Sequence, residues 1–478
     1  MMNMKTNSRW SSEIKEEYKK LDKDIFVDVV IIGGGLSGVL TAFYLNDSNL
    51  SVALIERNIV GSGVTSKMTA KVTYLQDILV KMEDKKINSY LKSQIEGMKL
   101  LKKNIDDYKI DCDFYPNKSY LFTNSESNSQ KLENLKKHLK ESGIKLDDNK
   151  FPNPLFSCKD DLSTSNSYEI HPLKYLNEIK KLCNHISIYE NTTIIETKKV
   201  GELWILKDNQ NHLIKAKKVV FATNYPYFLK PLFFPLKVRL ERSYMVSGDR
   251  NDKTKERYNM INIDSLVHSI RFYKDKMIYL TNSKILSGMK RSDFDDLFSS
   301  PLLKTKDYIW SNMDLITNDY LPIVGEVFSN LYILTGYNTW GILSSHVSSY
   351  MIAGMILNKP NESFSFKELF HPRRKITIKK FLNSSLNIGV NIHGYLKGMF
   401  KRNDLVFYQK DRAIYIDPNG KKYIVKRKCP HMKCNLLFNE VEKTWDCPCH
   451  GSRFDIYGNS ISGPSKYDIK IEDSKEEK

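Results

Sequence analysis

The stretch that decides the fold is VVIIGGGLSGVL, residues 29–40. Its apolar, β-branched start predicts a buried strand, and the residues after the glycines can continue as a helix. Gly33, Gly35 and Gly38 give the spacing G-x-G-x-x-G between these two elements. In dinucleotide-binding folds the first glycine permits a tight turn, the second admits a pyrophosphate, and the third lets helix and strand pack closely. The stretch therefore predicts an α/β domain that binds a dinucleotide at a helix N-terminus.

An acidic residue supports this prediction. Glu56 ends the next predicted strand, SVALIERN at 51–58, roughly 20 residues after the glycines, where a carboxylate can bind ribose hydroxyls. The glycines alone are a weak signal, since an unrelated turn can carry them. Strand, spacing and acid together favour a dinucleotide site, although they do not separate NAD from FAD.

Four further segments resemble the D-amino-acid oxidase-like FAD-dependent oxidoreductases. They are GSGVTSKMTAKVT at 61–73, EIHPLKYL at 169–176, VVFATNYP at 219–226, and NDYLPIVG at 318–325 followed by LYILTGYNTWGI at 331–342. The resemblance covers about residues 10–365. It implies an α/β FAD-binding Rossmann-type domain with an inserted β-rich substrate domain. The FAD contacts that it implies are Gly33, Gly35, Leu36, Ser37, Gly38, Glu56, Arg57, Thr65, Ser66, Thr69, Ala70, Lys71, Ile194, Ala222, Thr223, Asn224, Gly336, Gly341 and Ile342.

The resemblance also implies a substrate and a mode of flavin binding. Some relatives tether flavin through Cys or His, but no cysteine lies between Cys183 and Cys429 and no histidine precedes His138. We therefore expect non-covalent FAD. The family's common substrates are amines and amino acids, so Arg271 is the candidate for binding a carboxylate, and Tyr244 is the candidate to line the same pocket.

Near the end of the chain, CPHMKCNLLFNEVEKTWDCPCHG at 429–451 holds four of the seven cysteines together with two histidines. Cys429-x-His431 and Cys447-x-x-His450, with fifteen residues between them, have the arrangement of a Rieske 2Fe-2S centre, where two thiolates hold one iron and two imidazoles the other. Zinc is the alternative, but its usual C-x-x-C or H-x-x-x-H pairs fit poorly. These four residues are the predicted ligands.

Resemblance to Rieske proteins adds three expectations. Cys434 and Cys449 match the pair that forms a disulfide beside the cluster in some members. Phe454 stands where high-potential members carry a tyrosine, so we expect an intermediate potential. Lys433 occupies a usual glycine position and would be strained if that position has a positive φ. The whole arrangement resembles bacterial FAD-dependent oxidoreductases with a C-terminal Rieske domain.

The predicted organisation is a flavin domain over 1–375, a basic linker over 376–400 and a small all-β Rieske domain over 401–478. An alternating pattern around the Pro-Asn-Gly turn at 418–420 predicts a hairpin in the last domain. In the first domain, apolar residues at three- and four-residue steps between Leu91 and Tyr108 predict an amphipathic helix.

Charge and hydropathy limit the partners. The formal charge is +18 over 478 residues, which favours acidic partners, but the lysines are scattered and no nucleic-acid recognition motif accompanies them. No apolar run reaches the roughly 18 residues that a membrane-spanning helix requires. The polar N-terminal sequence predicts a cytoplasmic location.

These observations lead to a functional hypothesis. We expect a FAD-dependent dehydrogenase of an amine or amino acid, whose electrons pass through the 2Fe-2S cluster to an external acceptor. Two alternatives remain open at this point: a reductase or oxygenase component with the reverse electron flow, and a non-catalytic redox carrier or sensor.

Overall fold

A computed structural model describes most of the chain. The described residues are 5–152, 156–226, 237–251, 256–283, 287, 297, 299–375 and 405–471. The predicted linker at 376–400 lies outside them, and the predicted domain boundaries stay predictions. The helices are α1 Leu36–Leu45, α2 Asp84–Tyr108, α3 Glu126–Glu141, α4 Pro172–Lys181, α5 Gly341–Leu357 and α6 Lys367–Phe370. Short 3-10 turns cover Ser11–Glu13, Val64–Lys67, Leu79–Lys81 and Glu362–Phe366.

The first sheet carries the glycine motif. Its eight strands are β1 Ile25–Ile32, β2 Val52–Ile55, β6 Ile186–Tyr189, β7 Ile194–Val200, β8 Leu203–Asp208, β9 Leu213–Phe221, β15 Ile323–Phe328 and β16 Leu331–Thr335. The central order is β15-β16-β9-β1-β2-β6, and β1 runs parallel to both β2 and β9. Residues 29–32 of β1 are buried, as the continuous apolar run of a covered parallel strand requires.

The second sheet forms the inserted part. Its strands are β3 Lys71–Val72, β4 Tyr115–Thr123, β5 Asp160–Glu169, β10 Val238–Asp249, β11 Tyr258–Asn262, β12 His268–Tyr273, β13 Lys276–Ser283 and β14 Tyr308–Thr317. Their order is β14-β10-β13-β12-β11-β4-β5-β3. Strand β10 pairs antiparallel with β14, so that Glu241 lies opposite Asp314 and Ser243 opposite Asn312.

The predicted amphipathic helix is confirmed as α2. Leu91, Met98 and Leu101 are buried in the main hydrophobic core, whereas Tyr108 at the C-terminal end is exposed. Helix α5 packs against both α1 and α2. This packing brings the N-terminus of α5 close to the glycine turn of the first sheet.

The C-terminal region is all-β, as predicted. One small sheet contains β17 Val406–Tyr408, β18 Arg412–Ile416 and β19 Lys422–Lys426, and the other contains β20 Leu437–Asn439, β21 Thr444–Asp446, β22 Arg453–Asp455 and β23 Ser460–Ser462. Strands β18 and β19 form the predicted hairpin. Gly420 in its turn has a φ of 82°, a conformation that glycine adopts at little cost.

Candidate flavin site and metal centre

The glycine turn between β1 and α1 leaves no room for a side chain at Gly33 or Gly38. Gly33 has a φ of +109°, and a Cβ atom there would lie 2.6 Å from the Ala222 carbonyl oxygen. A Cβ atom on Gly38 would lie 1.8 Å from the Gly33 carbonyl oxygen. Helix α1 therefore starts in close contact with the turn, and this gives a dinucleotide pyrophosphate access to backbone N–H groups.

Two predicted FAD contacts also stabilise the turn itself. The Glu56 carboxylate accepts one hydrogen bond from the Gly34 N–H at 2.7 Å and one from the Asn58 N–H at 2.8 Å. The Leu36 N–H donates to the Thr65 hydroxyl oxygen at 3.0 Å. Glu56 thus lies beside the glycine turn, where a ribose-binding acid is expected.

A cavity of about 900 Å³ lies between the flavin-contacting segments and the second sheet. Its volume falls in the range of small-molecule sites, about 300–1,000 Å³. The predicted FAD contacts that line it are Thr69, Ala70, Lys71, Asn224, Gly341 and Ile342. The opposite wall is formed by polar and apolar residues of β10 and β14. The glycine turn and this cavity together fit a flavin nucleotide.

Buried ionisable side chains give the cavity an unusual electrostatic character. Burial lowers the pKa of the Lys71 ammonium to about 7, and its Nζ contacts the Ser269 hydroxyl. Burial also lowers the pKa of Lys67 to about 8. Conversely, burial raises the pKa of the Asp314 carboxyl to about 7. Such shifts are common where ligands bind.

The structure does not bring the two predicted catalytic residues to the cavity. Among the described residues that line it, neither Arg271 nor Tyr244 occurs. The Arg271 guanidinium is fully buried and donates to the backbone oxygens of Thr69 and Ile170. Through these contacts Arg271 holds the backbone of the flavin-contacting segment. The predicted carboxylate contact stays a prediction.

The other predicted FAD contacts do not line the cavity; some lie near the glycine turn, and others lie elsewhere in the first sheet or contact the C-terminal region. Ser37 is within hydrogen-bond distance of Ser345 in α5, at 2.9 Å, and Ser66 donates to the Ser62 and Gly63 backbone oxygens. Ala222 and Thr223 follow β9, and Gly336, with a φ of 72°, follows β16. Ile194 is buried in a hydrophobic cluster, and Arg57 donates to the Ser465 carbonyl oxygen of the C-terminal region at 2.9 Å.

Most of the cavity residues were not predicted, among them Asn312, Asp314 and Trp340. Trp340 directly precedes the predicted Gly341. The first two alternate in β14, whose sequence YIWSNMDLIT is otherwise largely apolar. Two polar residues at a spacing of two indicate one polar face of a strand, and this signal could have pointed to them.

The four predicted metal ligands converge in the C-terminal region. Cys429 and Cys447 are buried, and the hydrogen bond with Cys447 lowers the pKa of the Cys429 thiol. The rings of His431 and His450 are 4.9 Å apart between centroids. Within the described part of the chain, the buried Nδ1 atom of His450 has no hydrogen-bond partner. Two adjacent thiols and two adjacent imidazoles fit a Rieske cluster.

The other two cysteines of the 429–451 segment are paired with each other, as the resemblance to Rieske proteins implied. Cys434 and Cys449 form a disulfide. Cys434, Cys447 and Cys449 also form a geometric group that could hold a metal ion, but the disulfide consumes two of these sulfurs and leaves only Cys447 as a thiolate ligand. Lys433 has a φ of 59°, which confirms that its position is one where a glycine would be less strained.

The C-terminal region docks on the second sheet through β10 and β14. Arg242 of β10 is fully buried and binds Asp446 at 2.5 Å and Glu442 at 3.0 Å. The Ser311 N–H of β14 donates to Glu442 at 3.0 Å. On the same side, a Cβ atom on Gly451 would lie 2.8 Å from Leu240. The metal centre is thereby held against the flavin domain.

This docking brings a metal ligand close to a flavin-contacting segment. The ring of His450 lies 6.3 Å from the ring of Tyr225, centroid to centroid. Tyr225 follows Asn224, which lines the large cavity. Two consecutive residues therefore connect the cavity wall with a cluster ligand.

Comparisons with known families agree with both sites. The model of the family described as FAD dependent oxidoreductase matches residues 28–355, and the Rieske [2Fe-2S] domain model matches residues 396–471. The chain belongs to the FAD-dependent oxidoreductases and carries a C-terminal Rieske domain. Its cofactors are FAD and a 2Fe-2S cluster, and its fold is a Rossmann-type FAD domain with an inserted β-rich domain and a small all-β domain.

Two relatives and one solved structure match most of the chain. The Bacillus subtilis (strain 168) protein YhfW, which is named as a Rieske 2Fe-2S iron-sulfur protein, is 28% identical over 97% of this chain and 99% of its own length. Gamma-glutamylputrescine oxidoreductase of Escherichia coli (strain K12) is 22% identical over 74% of this chain and 89% of its length. The crystal structure of glycine oxidase from Geobacillus kaustophilus covers 74% of this chain and 100% of its own, with a TM-score of 0.62 and 15% identity.

In the part of the chain that the structure describes, no helix has the length and apolar character needed to cross a bilayer.

The cavity lining supports the prediction of non-covalent FAD. No cysteine or histidine occurs among the described residues that line it, so the side chains that tether flavin in some relatives are missing from its wall. Denaturing the purified protein with acid should therefore release all of the yellow chromophore into the supernatant, as measured by its absorbance after the protein is pelleted. Flavin that stays with the pellet, and fluoresces with the protein band on a denaturing gel, would contradict this.

Proposed function

We propose that the protein is a dehydrogenase of an amine or amino acid, and that the substrate's electrons leave through its own Rieske domain to an external acceptor. FAD, when bound, supplies two-electron oxidation, and the 2Fe-2S cluster supplies one-electron transfer. The residues of the chain bind the substrate, hold both cofactors and fix the distance between them.

One observation carries this proposal. Asn224 lines the cavity, and the ring of the next residue, Tyr225, lies 6.3 Å from the ring of the cluster ligand His450. A cluster that served only to stabilise the fold would not need to lie beside the flavin-contacting segment. Buried ion pairs that join Arg242 to Asp446 and Glu442 maintain this arrangement.

The family match supports an enzyme over a non-catalytic carrier, because the chain belongs to the FAD-dependent oxidoreductases. The proposed substrate class is supported by the relatives. One similar protein is named for oxidation of gamma-glutamylputrescine, and structures with the same fold are described as a glycine oxidase and an L-amino acid deaminase. The external acceptor, which the charge of +18 leads us to expect to be acidic, and the cytoplasmic location stay predictions.

Anaerobic reduction tests the proposal. The protein with both cofactors is mixed without oxygen with a panel of amines and amino acids, while flavin absorbance and the electron paramagnetic resonance signal of the reduced cluster are recorded. We expect at least one compound to bleach the flavin and then reduce the cluster. The control is the Cys447→Ser variant, in which the flavin should bleach with no cluster signal.

Two outcomes would contradict the proposal. If no compound in the panel bleaches the flavin, while an external one-electron donor reduces both centres, the electrons flow in the opposite direction and the protein is a reductase component. If the flavin bleaches in the intact protein while the cluster stays oxidised, the Rieske domain does not receive the substrate's electrons.

A further inference from the structure

Asp314 is an acidic side chain of the cavity that has no cationic partner among the described residues and only two hydrogen-bond donors. Asp314, on β14, is 8% exposed and lines the cavity. Its two carboxylate oxygens accept one hydrogen bond each, from the Asn312 amide at 2.8 Å and the Ser243 hydroxyl at 3.1 Å. Both donors are neutral, and a carboxylate has about four acceptor positions. The group is therefore only partly satisfied by the protein.

The other acids of the cavity differ from Asp314. Asp77 pairs with Lys81 at 2.7 Å, and Glu241 pairs with Arg239 at 2.8 Å. Across the described ranges, no lysine, arginine or histidine forms an ion pair with Asp314, and the only charged group that influences its pKa is Glu241, which raises it further.

Asp264, the fourth acid, has no cationic partner either, but its hydrogen-bonding capacity is filled. It accepts hydrogen bonds from Thr123, the Asn124 N–H, Asn128 and Asn262. It is also less buried than Asp314. Asp264 therefore has no need of a ligand, and it offers a matched control.

A buried carboxylate without a counter-charge is costly, and this is why burial raises the pKa of Asp314. A cationic ligand would remove that cost by pairing with the carboxylate and adding a charge-assisted hydrogen bond. A ligand whose only charge is negative would be repelled. Because no described lysine, arginine or histidine pairs with Asp314, a cation bound in the cavity would supply the missing partner.

We infer that Asp314 binds a protonated amino group of the substrate. The inference rests on the proposed oxidation of an amine or amino acid and makes it more specific, since it assigns the substrate a positive charge that this carboxylate recognises. Asp314 is thus a specificity-determining residue, and Ser243 and Asn312 orient its two oxygens.

The test compares amines with alcohols of the same length. Unbranched amines and their matched alcohols are titrated anaerobically into the protein with both cofactors, and binding is read from the perturbation of the flavin spectrum. We expect Asp314→Asn to weaken amine binding roughly 10- to 100-fold, the loss of one hydrogen bond to a charged group. Binding of the alcohols should stay unchanged. Asp264→Asn, which removes the same charge from the same cavity, should leave amine binding unaffected.

A second variant covers the case in which Asp314→Asn does not retain its cofactors. Asp314→Glu keeps the charge and moves it inward by one methylene, so the preferred amine should become one carbon shorter. Equal amine affinity in Asp314→Asn and the natural protein, no shift of preference in Asp314→Glu, or no amine binding to the natural protein would each overturn the inference.

The inference and the proposed function can fail separately. Amines that bind through Asp314 without bleaching the flavin would refute amine oxidation and leave the binding role of Asp314 intact. Amines that bleach the flavin at the same concentrations in Asp314→Asn and the natural protein would refute the role of Asp314 and leave the oxidation intact.

Discussion

Replacing Cys447 by serine should remove the 2Fe-2S cluster while leaving FAD in place. Cys447 is buried beside Cys429, and a Rieske centre needs both thiolates for one of its irons. Iron and acid-labile sulfide in the purified variant should fall to background. The flavin absorbance should persist, because the glycine turn and the 900 Å³ cavity belong to the other domain.

Cys183→Ser is the control for this experiment. Cys183 is also a buried free cysteine, but it lies after α4, where its thiol donates to the Ile179 carbonyl oxygen. Its replacement should leave both cofactors at natural levels. A Cys447→Ser protein that retained natural amounts of iron and sulfide would refute the ligand assignment.

Replacing Arg242 by alanine should weaken the attachment of the Rieske domain strongly. The buried Asp446 and Glu442 would lose a partner, and removal of one member of a buried ion pair costs about 3–5 kcal/mol. Burial alone would raise the pKa of Glu442, but the positive charges of Arg453 and Arg242 lower this pKa to about 2. Because the pKa of Glu442 is lower in the folded state than its ordinary value of 4.5, the ionised carboxylate stabilises the folded state fully above a pH of about 4.5. This stabilisation is lost as the pH falls toward 2.

The measurement is the free energy of unfolding in denaturant, followed through the visible absorbance of the cluster. In Arg242→Ala the free energy of unfolding should fall by about 3–5 kcal/mol. If electrons follow the proposed route, their transfer from flavin to cluster should also slow, because the spacing is no longer fixed. Lys19→Ala is the control, since Lys19 pairs with Asp22 at the surface, where an ion pair contributes about 0–1 kcal/mol. Equal stability of the two variants would mean that the Arg242 contacts do not hold the domains together.

The sequence was sufficient to predict the features that depend only on residues close together in the chain. The glycine turn follows from sterics within six residues, from Gly33 to Gly38, and the cluster ligands follow from two short motifs of fixed spacing. The strain at Lys433 could be anticipated because a single φ angle determines it. These features need no knowledge of how distant segments pack.

Features that depend on distant packing were not predictable. The assignment of Arg271 to a substrate carboxylate stays a prediction, but the contacts of its guanidinium with the backbone of Thr69 and Ile170 could not be read from the sequence. That no described cation pairs with Asp314 can be recognised only from the placed side chains around it. The contact of Arg242 with Asp446 joins residues 204 positions apart, so no local pattern could indicate it.

The paired strands β10 and β14 both line the cavity and contact the Rieske domain. Ser243, Glu241 and Asp314 line the cavity, while the intervening Arg242 contacts the Rieske domain and Met313 lies against Gly451. A shift of either strand would move both sets of side chains together. A mutation that reshapes the cavity wall on these strands must therefore also preserve the contact with the Rieske domain. Changes of substrate specificity should accumulate on the loops instead of these two strands.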